Sequence, residues 1–402
     1  MLQRLIASNL AAQSAEQVAL AAVPIVAVLL LGADASQTGL LGAAQTLPFL
    51  LLSVPAGLLA DRVARRRLMV AAEVLRAVAL SMLPLLAWAG VLSLAALGAI
   101  GFLAATATVV YSVTAPALVP SLVPRAGLAK ANARLELARS VAFAAGPPVA
   151  GAMVAWTGAP LAFATAASLS AVAAFLLNGL PPGLPDPAVV RPSPWAALVE
   201  EAQFAWDHPS IQPILLTSVF WNLGWFVLQS IYALYAIKRL GFGATQIGAS
   251  LGLYGVGLIA GALLAGWLSQ HVRFGMLIAV GPLASVVASA LLALTLVGPP
   301  VLAYAAFFVF GAGPILWTIA STTLRQAVTP QAMLGRVSAL VMMASFGARP
   351  VASLLGGTVA GVFGLQWAIL LSLALFGVQA AMILASPIPR LQALPDQAAQ
   401  NV

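Results

Sequence analysis

Twelve long apolar runs, almost free of charge inside, decide what this chain can fold into. They fall at roughly 8–31, 38–60, 68–89, 92–115, 136–156 and 160–180, and again at 211–236, 245–269, 274–297, 301–323, 337–361 and 365–386. An α-helix needs about 20 residues, at about 1.5 Å each, to cross the hydrocarbon layer of a bilayer. A closed barrel would also satisfy its backbone in lipid. Its strands, however, would alternate apolar and polar residues over about ten positions. These runs are apolar on every face and read as helices. Charge points the same way: Asp, Glu, Lys and Arg make up 7% of the 402 residues, against about a quarter in soluble domains. There are too few charges to coat a water-facing globule.

The basic residues set the orientation. With the N-terminus cytoplasmic, that side receives Arg4, Arg62, Arg65, Arg66, Arg67, Arg125, Lys130, Arg134, Arg191, Arg273, Arg325, Arg336 and Arg390; the other side receives Lys238 and Arg239. Cytoplasmic loops carry the excess of Lys and Arg, so both termini are expected in the cytoplasm and the number of spans is even. The expectation is a multi-pass protein of the bacterial cytoplasmic (inner) membrane. The net charge of +8 is spent on this asymmetry, and no nucleic-acid partner is expected. The chain has no cysteine and only His208 and His271, so no metal site is expected. Asn9, Gln13, Glu16 and Gln17 interrupt the first apolar run, which therefore reads as an uncleaved first helix and not a signal peptide.

Four regions follow. Residues 1–180 form one six-helix bundle, 181–209 a cytoplasmic linker, 210–390 a second six-helix bundle and 391–402 a cytoplasmic tail. The linker opens with Pro181-Pro182-Gly183-Leu184-Pro185-Asp186-Pro187, a density of proline that breaks helices. Trp195, Leu198, Val199, Ala202 and Trp206 then recur at helical spacing, which predicts a short amphipathic helix at the interface. The two bundles repeat one another. Gly57-Leu-Leu-Ala-Asp61-Arg62-Val63 aligns with Gly266-Trp-Leu-Ser-Gln270-His271-Val272, and Val110-Tyr111-Ser112-Val113 with Leu316-Trp317-Thr318-Ile319. The fold class expected is all-α integral membrane, with 12 transmembrane helices in two pseudo-symmetric six-helix bundles.

The sharpest local motif is Gly57-Leu58-Leu59-Ala60-Asp61-Arg62-Val63-Ala64-Arg65-Arg66-Arg67, between the second and third helices. It resembles the cytoplasmic G-x-x-x-D-R-x-G-R-R motif of the major facilitator superfamily, with Ala64 in place of the second glycine. A small residue permits close helix contact, and a carboxylate can meet a helix N-terminus. The resemblance implies a conformational latch made of Gly57, Asp61, Arg62, Arg65 and Arg66. On the fifth helix, Ala142-Phe-Ala-Ala-Gly146-Pro147-Pro148-Val149-Ala150-Gly151 is similar to the family's antiporter motif, with Ala142 and Ala150 replacing glycines. Gly146, Pro147 and Gly151 would give a kinked, closely packed helix. Val123-Pro124-Arg125 through Ser140, Trp206-Asp207-His208-Pro209, Trp221-Asn222-Leu223 and Leu334-Gly335-Arg336-Val337 resemble the exporter branch that holds enterobactin-type siderophore exporters and macrolide efflux proteins. The resemblance implies a proton-driven antiporter for efflux in a multidrug or siderophore-export role. An importer or a lipid flippase of the same fold is the alternative. A non-transporting receptor or scaffold is the alternative of another class.

Ionisable groups inside the membrane are costly and are functional candidates by default. Glu16 lies twelve residues beyond Arg4, about 18 Å along a helix, and is the expected proton-coupling residue. Arg349, thirteen residues past Arg336, is about 20 Å deep and calls for an anionic partner, water or an anionic substrate; it is expected either to pair with Glu16 or to bind substrate anions. It is a candidate cavity residue together with Gln45, Tyr111, Asn222, Trp225, Gln229, Tyr232 and Trp317, whose amide and aromatic groups suit an amphipathic substrate. Glu73 with Arg76 and Glu136 with Arg139 are i,i+3 pairs that read as self-neutralising structural pairs. No phosphate-binding loop, dinucleotide fingerprint or His-containing triad appears. No enzyme activity and no cofactor are expected, with the proton gradient as energy source. The expected partners are a small-molecule substrate and the bilayer, and the protein is expected to act as a monomer.

Overall fold

The computed structural model describes residues 1–60, 62–119, 122–123, 128–182, 203–329 and 334–394. Asp61, most of the linker and the tail from residue 395 therefore lie outside the described residues, as does the amphipathic helix expected from Trp195 onwards except for its last turn. That turn, residues 203–207, is helical. Among the described residues there are twelve long helices and no strand. In the first half these are α1 (Leu2–Leu29), α2 (Ala35–Ala60), α3 (Arg65–Trp88), α4 (Leu94–Leu118), α5 (Leu128–Trp156) and α6 (Ala159–Asn178). In the second half they are α7 (Ile211–Lys238), α8 (Ala244–His271), α9 (Phe274–Leu294), α10 (Leu302–Val328), α11 (Leu334–Phe363) and α12 (Leu365–Ala385). Eleven are long and apolar enough to span a bilayer over their described residues. The other, α2, has 26 residues and no charged side chain.

Several helices start earlier than the apolar runs, because polar residues are used for contacts at the helix ends. Arg4 Nη1 donates to Gly179 O at 3.4 Å and Asn9 Nδ2 to Leu135 O at 3.0 Å. Apolar periodicity does not register such residues, so α1, α5 and α11 begin six, eight and three positions before the runs that announced them (Leu2, Leu128 and Leu334 against 8, 136 and 337).

Helix ends reproduce the internal repeat in backbone detail. Leu31-Gly32-Ala33-Asp34 ends α1 and opens α2; Leu240-Gly241-Phe242-Gly243 ends α7 and opens α8. Gly32 and Gly241 have φ of 64° and 69°, the left-handed conformation that glycine adopts without steric cost. In each case an N–H six residues on returns to the helix: Ala33 N–H to Ala27 O and Phe242 N–H to Ala236 O, both at 2.9 Å. The next helix is then capped alike. Gln37 Oε1 accepts from Asp34 N–H at 3.0 Å while Asp34 Oδ1 accepts from Gln37 N–H at 2.8 Å, a reciprocal capping box. Gln246 Oε1 accepts from Gly243 N–H at 2.7 Å at the equivalent place.

Packing repeats as well. In the first half α3 packs on α4 and α6, and α5 on α6; in the second, α9 packs on α10 and α12, and α11 on α12. Contacts of α1 with α5 and α6 have counterparts in Ser218–Ser345 between α7 and α11 (2.6 Å) and Ser372 Oγ donating to Gly224 O between α12 and α7 (2.8 Å). Buried residues of the first half gather around Leu5, Met69, Leu118 and Leu177, and those of the second around Ile214, Ile278, Leu324 and Ile383. The exposed set is as apolar as the buried one: Phe175 is 79% exposed, Leu263 78% and Val297 91%. Such a surface is stable only against lipid. Trp88 and Trp156 stand exposed at the ends of α3 and α5, the position tryptophan takes at a membrane–water boundary.

By packing, the chain forms two compact units: Met1–Val189 with Gln229–Gly255, and Val190–Leu228 with Val256–Val402. The division by packing and the division by repeat differ over 229–255, because the N-terminal part of α8 is gripped by α5.

Candidate functional site

That grip is built by the residues of the antiporter-like motif. A Cβ on Gly248 would meet the Pro147 carbonyl oxygen and stand 3.0 Å from Gly151 Cα; one on Gly151 would meet the Ala244 carbonyl oxygen. Gly252 faces the Pro148 ring and Gly255 the backbone of Ala144. The two backbones touch along three turns, which only small residues permit. Gly146 points elsewhere, and its Cβ would stand 2.5 Å from Gln17 Cβ on α1. The motif thus seats α5 between α1 and α8.

The basic loop residues have a local structural task. Arg66 Nη1 donates to Leu180 O at 2.8 Å and its backbone N–H to Pro182 O at 3.2 Å, while Arg4 reaches Gly179 O. Two cations therefore cap the carbonyl end of α6, where the helix dipole favours them. Arg62 is exposed and Arg65 half-buried. Gly57 differs from the close contact expected of it. Among the described residues a Cβ there would meet only Val113 Cγ1, at 3.9 Å, and its repeat partner Gly266 is equally open.

Charge inside the helices is unevenly divided. The chain has ten acidic residues, and none falls between 208 and 395. The deep acids are therefore in the first half. Glu16 is half-buried on α1. Glu73 on α3 is fully buried, with Oε1 3.3 Å from Arg76 Nη1, and the two side chains are 0% and 2% exposed. Arg76 is also fixed by α1 and α4: Nη1 donates to Ala12 O and Nη2 to Thr108 Oγ1, both at 3.0 Å. Sequence reasoning took this pair for a structural one near a helix end, and nothing in its i,i+3 spacing marked it out. Glu136 and Arg139, with the same spacing, are 58% and 50% exposed and 3.6 Å apart.

In the second unit Arg349 is the deep cation. Its Nε donates to Asn222 Oδ1 at 3.0 Å, and the guanidinium lies 4.9 Å from the Phe226 ring centroid and 3.8 Å from that of Phe346. Asn222 Nδ2 in turn donates to Ser218 O at 2.9 Å, fixing the amide's orientation. An arginine held by its Nε between two aromatic faces keeps a planar fork in one orientation, which suits carboxylate or other planar anions. Phe226 and Phe346 were missed by sequence reasoning. Phe346 is one helical turn before Arg349 and could have been noticed; Phe226 is on another helix and could not.

The other candidates are dispersed. Trp225 stacks on Trp221 at 5.5 Å and meets Phe310 edge-on at 5.2 Å, inside a buried aromatic cluster. Tyr232 is buried and its hydroxyl bonds Ser250 Oγ at 2.6 Å within the first unit. Tyr111 is buried in the core beside Leu118 and Ala131. Gln45 folds against Gly101, Trp317 packs half-buried over Gly281, and Gln229 is half-buried.

Comparison with known proteins agrees with this architecture. Residues 5–353 match the Major Facilitator Superfamily. Among curated proteins, the multidrug efflux pump Tap of Mycolicibacterium fortuitum is 27% identical over 377 residues, covering 90% of this chain and 88% of that protein. The enterobactin exporter EntS of Citrobacter koseri is 28% identical over 226 residues, 56% of this chain and about half (53%) of the exporter's length. Among solved structures, the nucleoside transporter NupG superposes with a TM-score of 0.77 at 13% identity, over 96% of this chain and 98% of that one. A bacterial homologue of the iron transporter ferroportin, in an inward-facing state, gives 0.74 at 17% identity, over 95% and 97%; at such identities the likeness is one of fold. Twelve helices in a six-plus-six repeat, the basic loop after α2 and the Gly-Pro motif on α5 thus converge with a match across most of the sequence: the chain belongs to the Major Facilitator Superfamily and is a multi-pass membrane transporter, not an enzyme.

Proposed function

We propose that the protein is a proton-coupled exporter of a small amphipathic organic molecule, of the drug or siderophore class, in the bacterial cytoplasmic membrane. The observation that carries this reading is the division of deep charge: carboxylates on α1 and α3 of the first unit, and a fixed guanidinium on α11 of the second. Acidic groups inside a transporter are the usual carriers of protons, and a buried cation is a natural partner for an anionic group on a substrate. The efflux direction draws support from Tap and EntS, named as an efflux pump and an exporter, and from the Gly-Pro motif of α5. In this reading Glu16 takes part in proton binding, and Arg349, steadied by Asn222 and flanked by Phe226 and Phe346, contacts the substrate. Gln45, Tyr111, Trp225, Gln229, Tyr232 and Trp317 are secondary candidates for substrate contact. Gly57, Asp61, Arg62, Arg65 and Arg66 act in the conformational latch. Both termini face the cytoplasm, the working unit is a monomer, and the proton gradient is the only energy source.

The test is an export screen in a bacterial strain lacking its main efflux systems, with and without a protonophore. Expression is expected to lower accumulation of at least one amphipathic compound, and the protonophore to abolish that effect. Accumulation unchanged across every compound class, or export indifferent to the protonophore, contradicts the proposal. Glu16→Gln retaining full coupled export would remove Glu16 from the mechanism.

A further inference from the structure

The function proposed above leaves Glu73 without a role, yet its surroundings are unlike those of an ion pair that only holds helices together. A buried pair offsets its desolvation when the geometry is good and the remaining lone pairs are bonded. Here Arg76 has two firm partners besides the carboxylate, and Glu73 has fewer. The guanidinium has Ala12 O and Thr108 Oγ1 as partners besides the carboxylate. The carboxylate has the single 3.3 Å approach to Nη1, and among the described residues neither of its oxygens accepts a hydrogen bond. Two fully buried hydroxyls lie near it: Ser170 Oγ on α6, which neighbours the carboxylate, and Tyr111 OH on α4, which neighbours Ser8. Ser170 and, more weakly, Glu16 of α1 are the other groups that act on Glu73, and Tyr111 feels both Glu73 and Arg76.

The asymmetry allows two protonation states. Ionised, Glu73 is balanced by Arg76. Protonated, it carries an O–H whose hydrogen can be donated to the neighbouring Ser170 Oγ, while Arg76 keeps its bonds to α1 and α4. Uptake leaves a neutral carboxyl beside a held cation, and release restores the pair. The groups facing Glu73 are thus Glu16 from α1, Arg76 from its own helix, Tyr111 from α4 and the hydroxyl of Ser170 from α6.

We propose that Glu73 is a proton-binding residue counter-charged by Arg76, in a buried polar site where α3 meets α1 and α4. Its part in driving export rests on the proton-coupled reading; its capacity to bind a proton does not.

The test exploits a chain with five glutamates, at 16, 73, 136, 200 and 201. The purified full-length protein, labelled with carboxyl-13C glutamate and reconstituted in lipid without any substrate, is titrated by infrared difference spectroscopy. The wild type is expected to show a protonated-carboxyl band that disappears as pH rises. Glu73→Gln is expected to lose the component of that band that comes from the buried carboxyl, whereas Glu136→Gln, which removes only an exposed carboxyl, retains that component. A Glu73→Gln spectrum with the wild-type band and midpoint overturns the proposal. Should Glu73→Gln fail to fold, Glu73→Asp decides: the band must move from the glutamate label to an aspartate label, and its remaining on glutamate overturns the proposal. If Glu73 titrates but wild-type export ignores a protonophore, the proton-driven reading falls and the site remains.

Discussion

Removing Arg76 alone should cost more stability than removing the whole buried pair. Arg76→Leu deletes the cation facing Glu73, whose side chain is 0% exposed. The two other acceptors lose little: Ala12 O lies within α1, and Thr108 Oγ1 still donates to Ala104 O at 3.3 Å. Almost the whole penalty therefore belongs to a carboxylate buried without its counter-charge, a situation that costs about 3–5 kcal/mol. That is a large fraction of the roughly 5–15 kcal/mol that holds a typical protein folded. Replacing both partners by apolar side chains of similar volume is often neutral, so Glu73→Leu/Arg76→Met should return to within about 1 kcal/mol of the wild type. Unfolding of each variant in mixed micelles, followed by tryptophan fluorescence, measures the order. The reasoning is refuted if Arg76→Leu unfolds with the wild type, or if the double variant is no more stable than the single one.

Other expectations follow from the same geometry. Gly248→Val drives a side chain into the Pro147 carbonyl and toward Gly151 Cα; overpacking of this kind costs about 1–3 kcal/mol, and thermal unfolding together with export rate should both fall. Wild-type values for this variant would mean the α5–α8 contact is not as close as described. Arg349→Lys keeps the charge but loses the Nε bond to Asn222 and the planar stacking on Phe226 and Phe346. Export is therefore expected to weaken chiefly through a higher KM, and an unchanged KM removes Arg349 from substrate contact. His208, just ahead of α7, has its proton affinity lowered by burial, and its Nδ1 accepts from Ser210 N–H at 3.2 Å. Its folded pKa lies below the unfolded value, so the unfolded chain binds more protons and stability falls as pH drops below about 6.5. His208→Gln should flatten that slope in an unfolding series across pH, and a slope as steep as that of the wild type refutes the assignment. Glu136→Ala should alter stability by no more than about 1 kcal/mol, as for exposed ion pairs generally.

What could be read from the sequence was whatever repeats along one helix. Apolar runs gave the helices, and the alignment of Gly57 with Gly266 anticipated a six-plus-six arrangement that the packing of α3 and α9 repeats. Contacts between helices were legible only where backbone closeness leaves a compositional trace, as at Gly146 to Gly151. Even there the partner, Gly248 of α8, was not visible. Glu73–Arg76 and Glu136–Arg139 have identical spacing, yet one pair is sealed among α1, α3, α4 and α6 and the other is half exposed. Which face of a helix turns inward depends on its neighbours, and a helix apolar all round carries little periodicity to announce it. For the same reason Tyr111 and Trp225, whose amphipathic rings suggested a substrate surface, sit in buried clusters. At Gly57 the motif suggested tight packing, and among the described residues a Cβ there would meet only Val113 Cγ1, at 3.9 Å.

The proton-coupled account is tested most directly by watching protons move when substrate does. Purified protein is reconstituted into vesicles holding a pH-sensitive dye, and an outward-directed gradient of a compound retained by the export screen is imposed with no pH gradient. The account predicts that the compound's flow drives protons the opposite way, that the dye reports it within the time of transport, and that Glu73→Gln abolishes the signal while compound exchange continues. Compound movement with no accompanying proton flux would contradict it.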